Sequence, residues 1–125
     1  MSKTAIVLFS DPKAGGEEAL GRLFNALFLT LELKERDREV ELIFQGAGAR
    51  WPAVLVDPSH PANALYNAVR EKVAGVCGGC ADVFGATKAV EAAGLTLIRD
   101  KSIAGTGGVA DLSRYLEEGW RLIPF

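Results

Sequence analysis

Apolar runs alternate with helical patterns along this chain. Residues 4–9 form a near-continuous apolar run, as expected of a parallel strand buried on both faces. Ser10-Asp11-Pro12 and Gly15-Gly16 end it. From residue 17 to about 36 the apolar positions Leu20, Phe24, Leu27 and Leu31 recur at helical spacing. Glu17 and Glu18 fall in the first turn and Lys34 and Arg36 in the last, charges that suit the helix dipole. Leu23, Phe28 and Leu33 lie outside that stripe, so the apolar face is wider than a sheet alone covers, and a subunit contact is expected there. Residues 40–44 read as a second strand running into Gln45-Gly46-Ala47-Gly48-Ala49-Arg50-Trp51, and Pro52 suits the opening of a short helical turn. After the turn cluster Asp57-Pro58-Ser59-His60-Pro61, Pro61 fits the first position of a helix with Leu65, Val69 and Val73 on one face.

Helix and strand signals then overlap, and a third strand is read at residues 73–77. Two helical stretches follow, 80–84 and 87–93, with Gly85 between them and Gly94 as a C-terminal stop. Residues 95–98 form a fourth strand, and 108–118 a helix with Val109, Leu112, Tyr115 and Leu116 inward. Residues 121–125 are a short last strand that Pro124 assigns to an edge. Five strands alternating with helices predict an α/β fold: a three-layer, doubly wound, mainly parallel five-stranded sheet with helices on both faces. One domain spans residues 1–125. In such sheets ligands gather at the carboxyl ends of the strands. Asp11, Gly46, Arg50, Cys77 and Lys101 all follow strand ends and are expected on one rim.

Composition narrows the function more than the fold. A chain of 125 residues with 49% hydrophobic and 24% charged residues is ordinary globular material for one domain. Lys and Arg number 14 against 16 Asp and Glu, a net charge of −2, with no basic run and thus no footprint for nucleic acid. The first apolar run is too short for a signal peptide, and the longest, residues 23–33, is broken by Asn25, Thr30 and Glu32 and does not span a bilayer. A cytoplasmic protein is expected. Its reducing surroundings make two close cysteines reactive or metal-binding rather than a structural disulfide.

Those two cysteines are the only ones, in Val76-Cys77-Gly78-Gly79-Cys80-Ala81-Asp82, where a strand runs into a helix. A thiol at a helix N-terminus faces unpaired backbone N–H groups and the positive end of the dipole, and both favour the nucleophilic thiolate. Gly78 and Gly79 remove bulk, so the backbone approaches closely whatever the sulfur attacks. Cys77 and Cys80 are therefore the candidate reacting residues, with Gly78, Gly79, Asp11, Gly46 and Arg50 as candidate binding residues. The competing reading makes Cys77 a small buried hydrophobe and Cys80 a core residue of the following helix.

The segment Val40-Glu41-Leu42-Ile43-Phe44-Gln45-Gly46-Ala47-Gly48-Ala49-Arg50-Trp51, followed by Gly75-Val76-Cys77-Gly78-Gly79-Cys80 and then Gly85, resembles the DsrE/DsrF-like family over nearly the whole chain. The resemblance implies a sulfur-relay role. In the family's carriers a cysteine after the third strand takes up sulfur as a persulfide and passes it to a partner protein. A glycine lies eight positions later, the spacing of Cys77 and Gly85. It also implies a homotrimer or homohexamer, donor and acceptor proteins as partners, and no cofactor. Cys80 has no counterpart in the single-cysteine carriers.

Other readings remain beside it. Cys77 and Cys80 have the two-residue spacing of dithiol–disulfide redox sites, without the aromatic-Cys-Gly-Pro-Cys pattern. Two cysteines make half a zinc site, and His60, the only histidine, sits in a turn where starting a helix is the natural task. Gly46-Ala47-Gly48 lacks the third glycine of a dinucleotide fingerprint, and Gly105-Thr106-Gly107-Gly108 reads as a flexible loop before a helix. A non-catalytic oligomeric subunit is the reading from outside sulfur chemistry.

Overall fold

The computed structural model describes residues 2–125. Its strands are β1 (Lys3–Leu8), β2 (Glu39–Phe44), β3 (Val73–Cys77), β4 (Leu97–Ile98) and β5 (Arg121–Pro124), and its helices are α1 (Glu17–Glu35), α2 (Trp51–Leu55), α3 (Asn63–Val69), α4 (Gly78–Val83), α5 (Thr87–Ala92) and α6 (Leu112–Glu117). Short 3-10 turns lie at Pro12–Ala14, Gly46–Arg50 and Arg70–Lys72. The five strands form one parallel sheet in the order β4-β3-β2-β1-β5. The chain steps outward from β1 to β4 and then returns to set β5 on the far side of β1. Right-handed crossovers in opposite directions place their helices on opposite faces, and this makes the three layers.

Both faces bear that out. Ile6, Leu8, Leu42, Phe44 and Val76 point to one core with Leu23 and Leu27 of α1, Leu55 of α2, Tyr66 of α3 and Val90 of α5. Ala5 and Ile43 point the other way, to a smaller core with Tyr115 and Trp120. There Tyr115 donates its hydroxyl to Glu41 at 2.7 Å and ties α6 to β2. No helix among the described residues is long and apolar enough to cross a membrane.

Several elements depart from the sequence pattern, each for a physical reason. The helix opened near Pro61 stops at Val69, and Val73 begins β3 instead of extending its face. The last helix starts at Leu112, because Gly108 takes a φ of 98° and Val109 pairs antiparallel with Lys101. With only six residues it turns Tyr115 inward and leaves Leu116 59% exposed. In α1, Leu23 is fully buried and Leu33 packs against the core, since the helix lies against both the sheet and α3. Phe28, stacked on Phe24 at 5.8 Å, remains 46% exposed and is what is left of the wide apolar face.

One irregularity positions the site. Between β2 and β3 the register runs Leu42 to Val73 but Ile43 to Gly75, so Ala74 is an extra residue. A one-residue bulge exchanges the faces of everything after it. Val76 thereby joins the larger core, and Cys77, paired with Ile98, turns toward the α6 side. Gly75 permits the bulge: its φ is 152°, and a Cβ there would lie 2.5 Å from the Thr96 carbonyl oxygen.

Candidate functional site

β3 ends at Cys77 and α4 begins at the next residue. Cys77 is therefore the N-cap, and its Sγ accepts the backbone N–H of Cys80 at 3.4 Å, as a cap oxygen would. The N–H of Ala110 also faces the sulfur and the Cys80 thiol donates to it, while the Gly79 N–H, bonded to the Gly108 carbonyl at 2.8 Å, adds least. That thiol hydrogen bond is the largest influence. Burial opposes it, the three N–H groups add to it, and the Cys77 thiol is brought down to about 6. Cys80 moves the other way: donating to Cys77 and being buried push its thiol far above the ordinary range, with the Gly46 N–H as a partial counterweight. The pair holds one proton between two sulfurs, on Cys80.

Cys77 is 0% exposed and Cys80 partly exposed. The sulfur is thus as buried as a core hydrophobe, yet it accepts the Cys80 N–H and faces that of Ala110. Gly78 and Gly79 have a task other than room for an incoming sulfur. A Cβ on Gly78 would lie 2.5 Å from Arg99 Cγ, and one on Gly79 2.7 Å from Val109 Cγ1. They admit the segment that follows β4.

The rim residues separate into two groups. Asp11 and Arg50 pair at 2.9 Å, beside β1 and β2. Asp11 caps the Pro12–Ala14 turn through the Lys13 N–H, and Arg50 reaches the Phe84 carbonyl and packs on its ring. Their charges thus neutralise each other and brace the loops around α4. Gly46 stays in the site through its N–H. Lys101 lies out along the segment after β4, bonded through its backbone to Val109. His60 accepts the Ala62 N–H at 3.0 Å on Nδ1 and closes the turn ahead of α3. The nearest strand crossover reversal, between β1 and β5, is two strands from Cys77. A cavity of 340 Å³ at the carboxyl end of β1 is lined by Phe9, Ser10, Asp11, Glu18 and Arg22.

Asp82, which the sequence reads as a helix-surface residue near an N-terminus, and Arg99, which it does not single out, are joined beside the site. Arg99 Nη1 and Nη2 meet Asp82 Oδ2 and Oδ1 at 2.8 and 3.0 Å, and Nη1 also reaches the Gly107 carbonyl at 3.1 Å. The guanidinium, with help from the Thr87 hydroxyl, holds the Asp82 carboxyl near 2. Asp82 chiefly, and the Cys77 sulfur to a lesser degree, hold the Arg99 guanidinium in its charged form. The available signal for Arg99 was its place directly after β4, the same strand-end position that drew attention to the other rim residues.

Residues 3–125 match the model of the DsrE/DsrF-like family. The uncharacterized protein MJ0733 of Methanocaldococcus jannaschii is 29% identical over 101 residues, covering 81% of this chain and 78% of that protein. Two solved structures share the fold. The ychN protein from E. coli aligns with a TM-score of 0.62 at 20% identity over 100% of both chains. The conserved protein of unknown function BT1422 from Bacteroides thetaiotaomicron aligns with a TM-score of 0.62 at 16% identity, over 98% of this chain and 95% of its own.

Proposed function

The chain belongs to the DsrE/DsrF-like family, and from that membership we propose that it is a sulfur carrier holding sulfur as a persulfide on Cys77. The observation that carries this reading is the cap geometry: a sulfur at the N-cap of α4 that accepts the Cys80 N–H and is drawn toward the thiolate near neutral pH by a second thiol and by the N–H groups of Ala110 and Cys80. The Cys77 thiolate attacks the outer sulfur of a donor persulfide, R–S–S–H. The donor S–S bond breaks, R–S⁻ leaves, and Cys77 becomes Cys–S–S–H. An acceptor thiolate then attacks the terminal sulfur and regenerates the Cys77 thiolate. Donor and acceptor are thiol-bearing proteins of a reducing compartment, and the carrier works as a homotrimer or homohexamer.

The test is mass spectrometry after incubation with a persulfide donor. Wild type and Cys80→Ser gain the mass of one sulfur, and Cys77→Ser gains none. Sulfur loading of Cys77→Ser would sink the assignment.

One observation favours a second use of the pair. Cys80 lies three residues after Cys77 and its N–H bonds the Cys77 sulfur at 3.4 Å, so its thiol is placed to attack the inner sulfur of the persulfide. That step forms a Cys77–Cys80 disulfide, breaks the persulfide S–S bond and releases the outer sulfur with the Cys80 proton as H2S, with no outside oxidant. A shorter persulfide lifetime in wild type than in Cys80→Ser is its expected mark.

A further inference from the structure

Cys77 carries a stabilised anion where solvent does not reach. Displacement at sulfur needs a donor atom in line with the attacking thiolate, and a side chain that is 0% exposed offers no such approach. A single segment, residues 99–110, leaves β4, passes over Gly78 and Gly79 at the start of α4 and returns before α6. Lys101 and Val109 exchange both backbone hydrogen bonds at 2.9 Å, so the segment is a hairpin. Residues 99–107 are exposed, whereas Gly108 and Ala110 at its base are buried over the start of α4.

Two fastenings hold it down. The Gly79 N–H bonds the Gly108 carbonyl at 2.8 Å, and Arg99 grips Asp82 through both nitrogens. The arginine lies in a slot of glycines. A Cβ on Gly107 would come 2.8 Å from Arg99 Nη1 and 3.0 Å from Asp82 Oδ2, and one on Gly108 would come 2.9 Å from Arg99 Cβ.

We propose that the hairpin of residues 99–110 is a lid over Cys77, and that the Arg99–Asp82 ion pair is its latch. Sulfur exchange at Cys77 then takes place from an open state in which the hairpin has lifted from Gly79 and the latch has parted. The inference rests on the carrier reading for its purpose. It stands on independent observations: the burial of the sulfur, the hairpin seated on Gly79 beside it, and the bidentate pair that joins hairpin to helix.

The experiment reads access to one thiol. In Cys80→Ser, Cys77 is the only cysteine, and its alkylation by iodoacetamide is timed at pH 8. Because Cys80→Ser removes the largest influence on the Cys77 thiol, the rate is also followed against pH in each variant, so that its plateau reports opening and its midpoint reports titration. Adding Asp82→Asn removes the latch charge, and adding Gly107→Ala wedges the slot at a position without left-handed backbone. Each is expected to raise the rate about two- to five-fold, the scale of losing one exposed ion pair, with the urea midpoint unchanged. High salt should accelerate the parent protein in the same sense and leave the Asp82→Asn variant flat.

Unchanged rates in both variants, or rates that rise only as the urea midpoint falls, would overturn the lid. Persulfide loading of the same proteins separates the two claims. Faster alkylation without any sulfur gain defeats the carrier and leaves the lid. Sulfur gain with unaltered alkylation does the reverse.

Discussion

At the scale of single residues, the two thiols are made unequal by one hydrogen bond and a few N–H groups. The alkylation rate of Cys77 should rise with pH around a midpoint near 6, while Cys80 stays slow through pH 9. A faster Cys80 at pH 7, read by peptide mapping, would reverse their roles. Asp82, held near 2, keeps its charge across that range, so the profile belongs to the thiol. The same shifts set a stability profile. The folded chain releases the Cys77 proton near 6 and the unfolded chain near 9, so stability from Cys77 is complete above pH 9 and is lost as pH falls through 6. Cys80 is raised, so its contribution is complete below 9 and declines above. The urea midpoint of wild type, less that of Cys77→Ser, should therefore grow from pH 6 to 9 and then stop growing. Tyr66 makes a different point. Its hydroxyl is buried in the larger core with no hydrogen-bond partner among the described residues. Tyr66→Phe removes a desolvated group that bonds nothing, so the midpoint should hold or rise by up to about 1 kcal/mol equivalent. A loss above that would reveal a partner for the hydroxyl.

At the scale of elements, the turn after β2 is the tightest joint in the fold. A Cβ on Gly48 would lie 2.2 Å from the Leu8 carbonyl oxygen, which already accepts the Gln45 N–H at 3.0 Å. Gly48→Ala should cost about 1–3 kcal/mol in urea denaturation, as overpacking against backbone does. A neutral result would mean that the turn gives way. The period of apolar residues made β1, α1, β2 and β5 legible from sequence, because each is long enough or apolar enough to show its face. It also placed β3, whose Val76 and Cys77 sit before a glycine pair. What stayed hidden depended on distant partners. The bulge at Ala74 has no local signature, since register is a property of two strands. Residues 108–111 look helical by pattern, but Val109 is claimed by Lys101 eight residues earlier. Asp82 reads as a helix-surface residue, and Arg99 carries no local signal of a partner, until the fold brings them within 3 Å.

At the scale of the whole molecule, the single chain leaves little apolar surface on α1. Phe28, 46% exposed, is the residue on which an association through that helix turns. Light scattering should show an oligomer at micromolar concentration, and Phe28→Asp should reduce it. A monomeric wild type, or an oligomer indifferent to that change, would move the contact elsewhere. The glycine slot around Arg99 has a consequence of another kind, one of inheritance. Gly78 and Gly107 leave room for a single arginine, whereas Gly108 is also held to glycine by its φ of 98°, so the first two and the arginine should be lost or kept together among descendants of a common ancestor. Lineages in which a short residue replaces the arginine are released from glycine at the positions of Gly78 and Gly107, and alanine or serine should accumulate there. Joint change at these sites would divide the relatives into latched and unlatched branches.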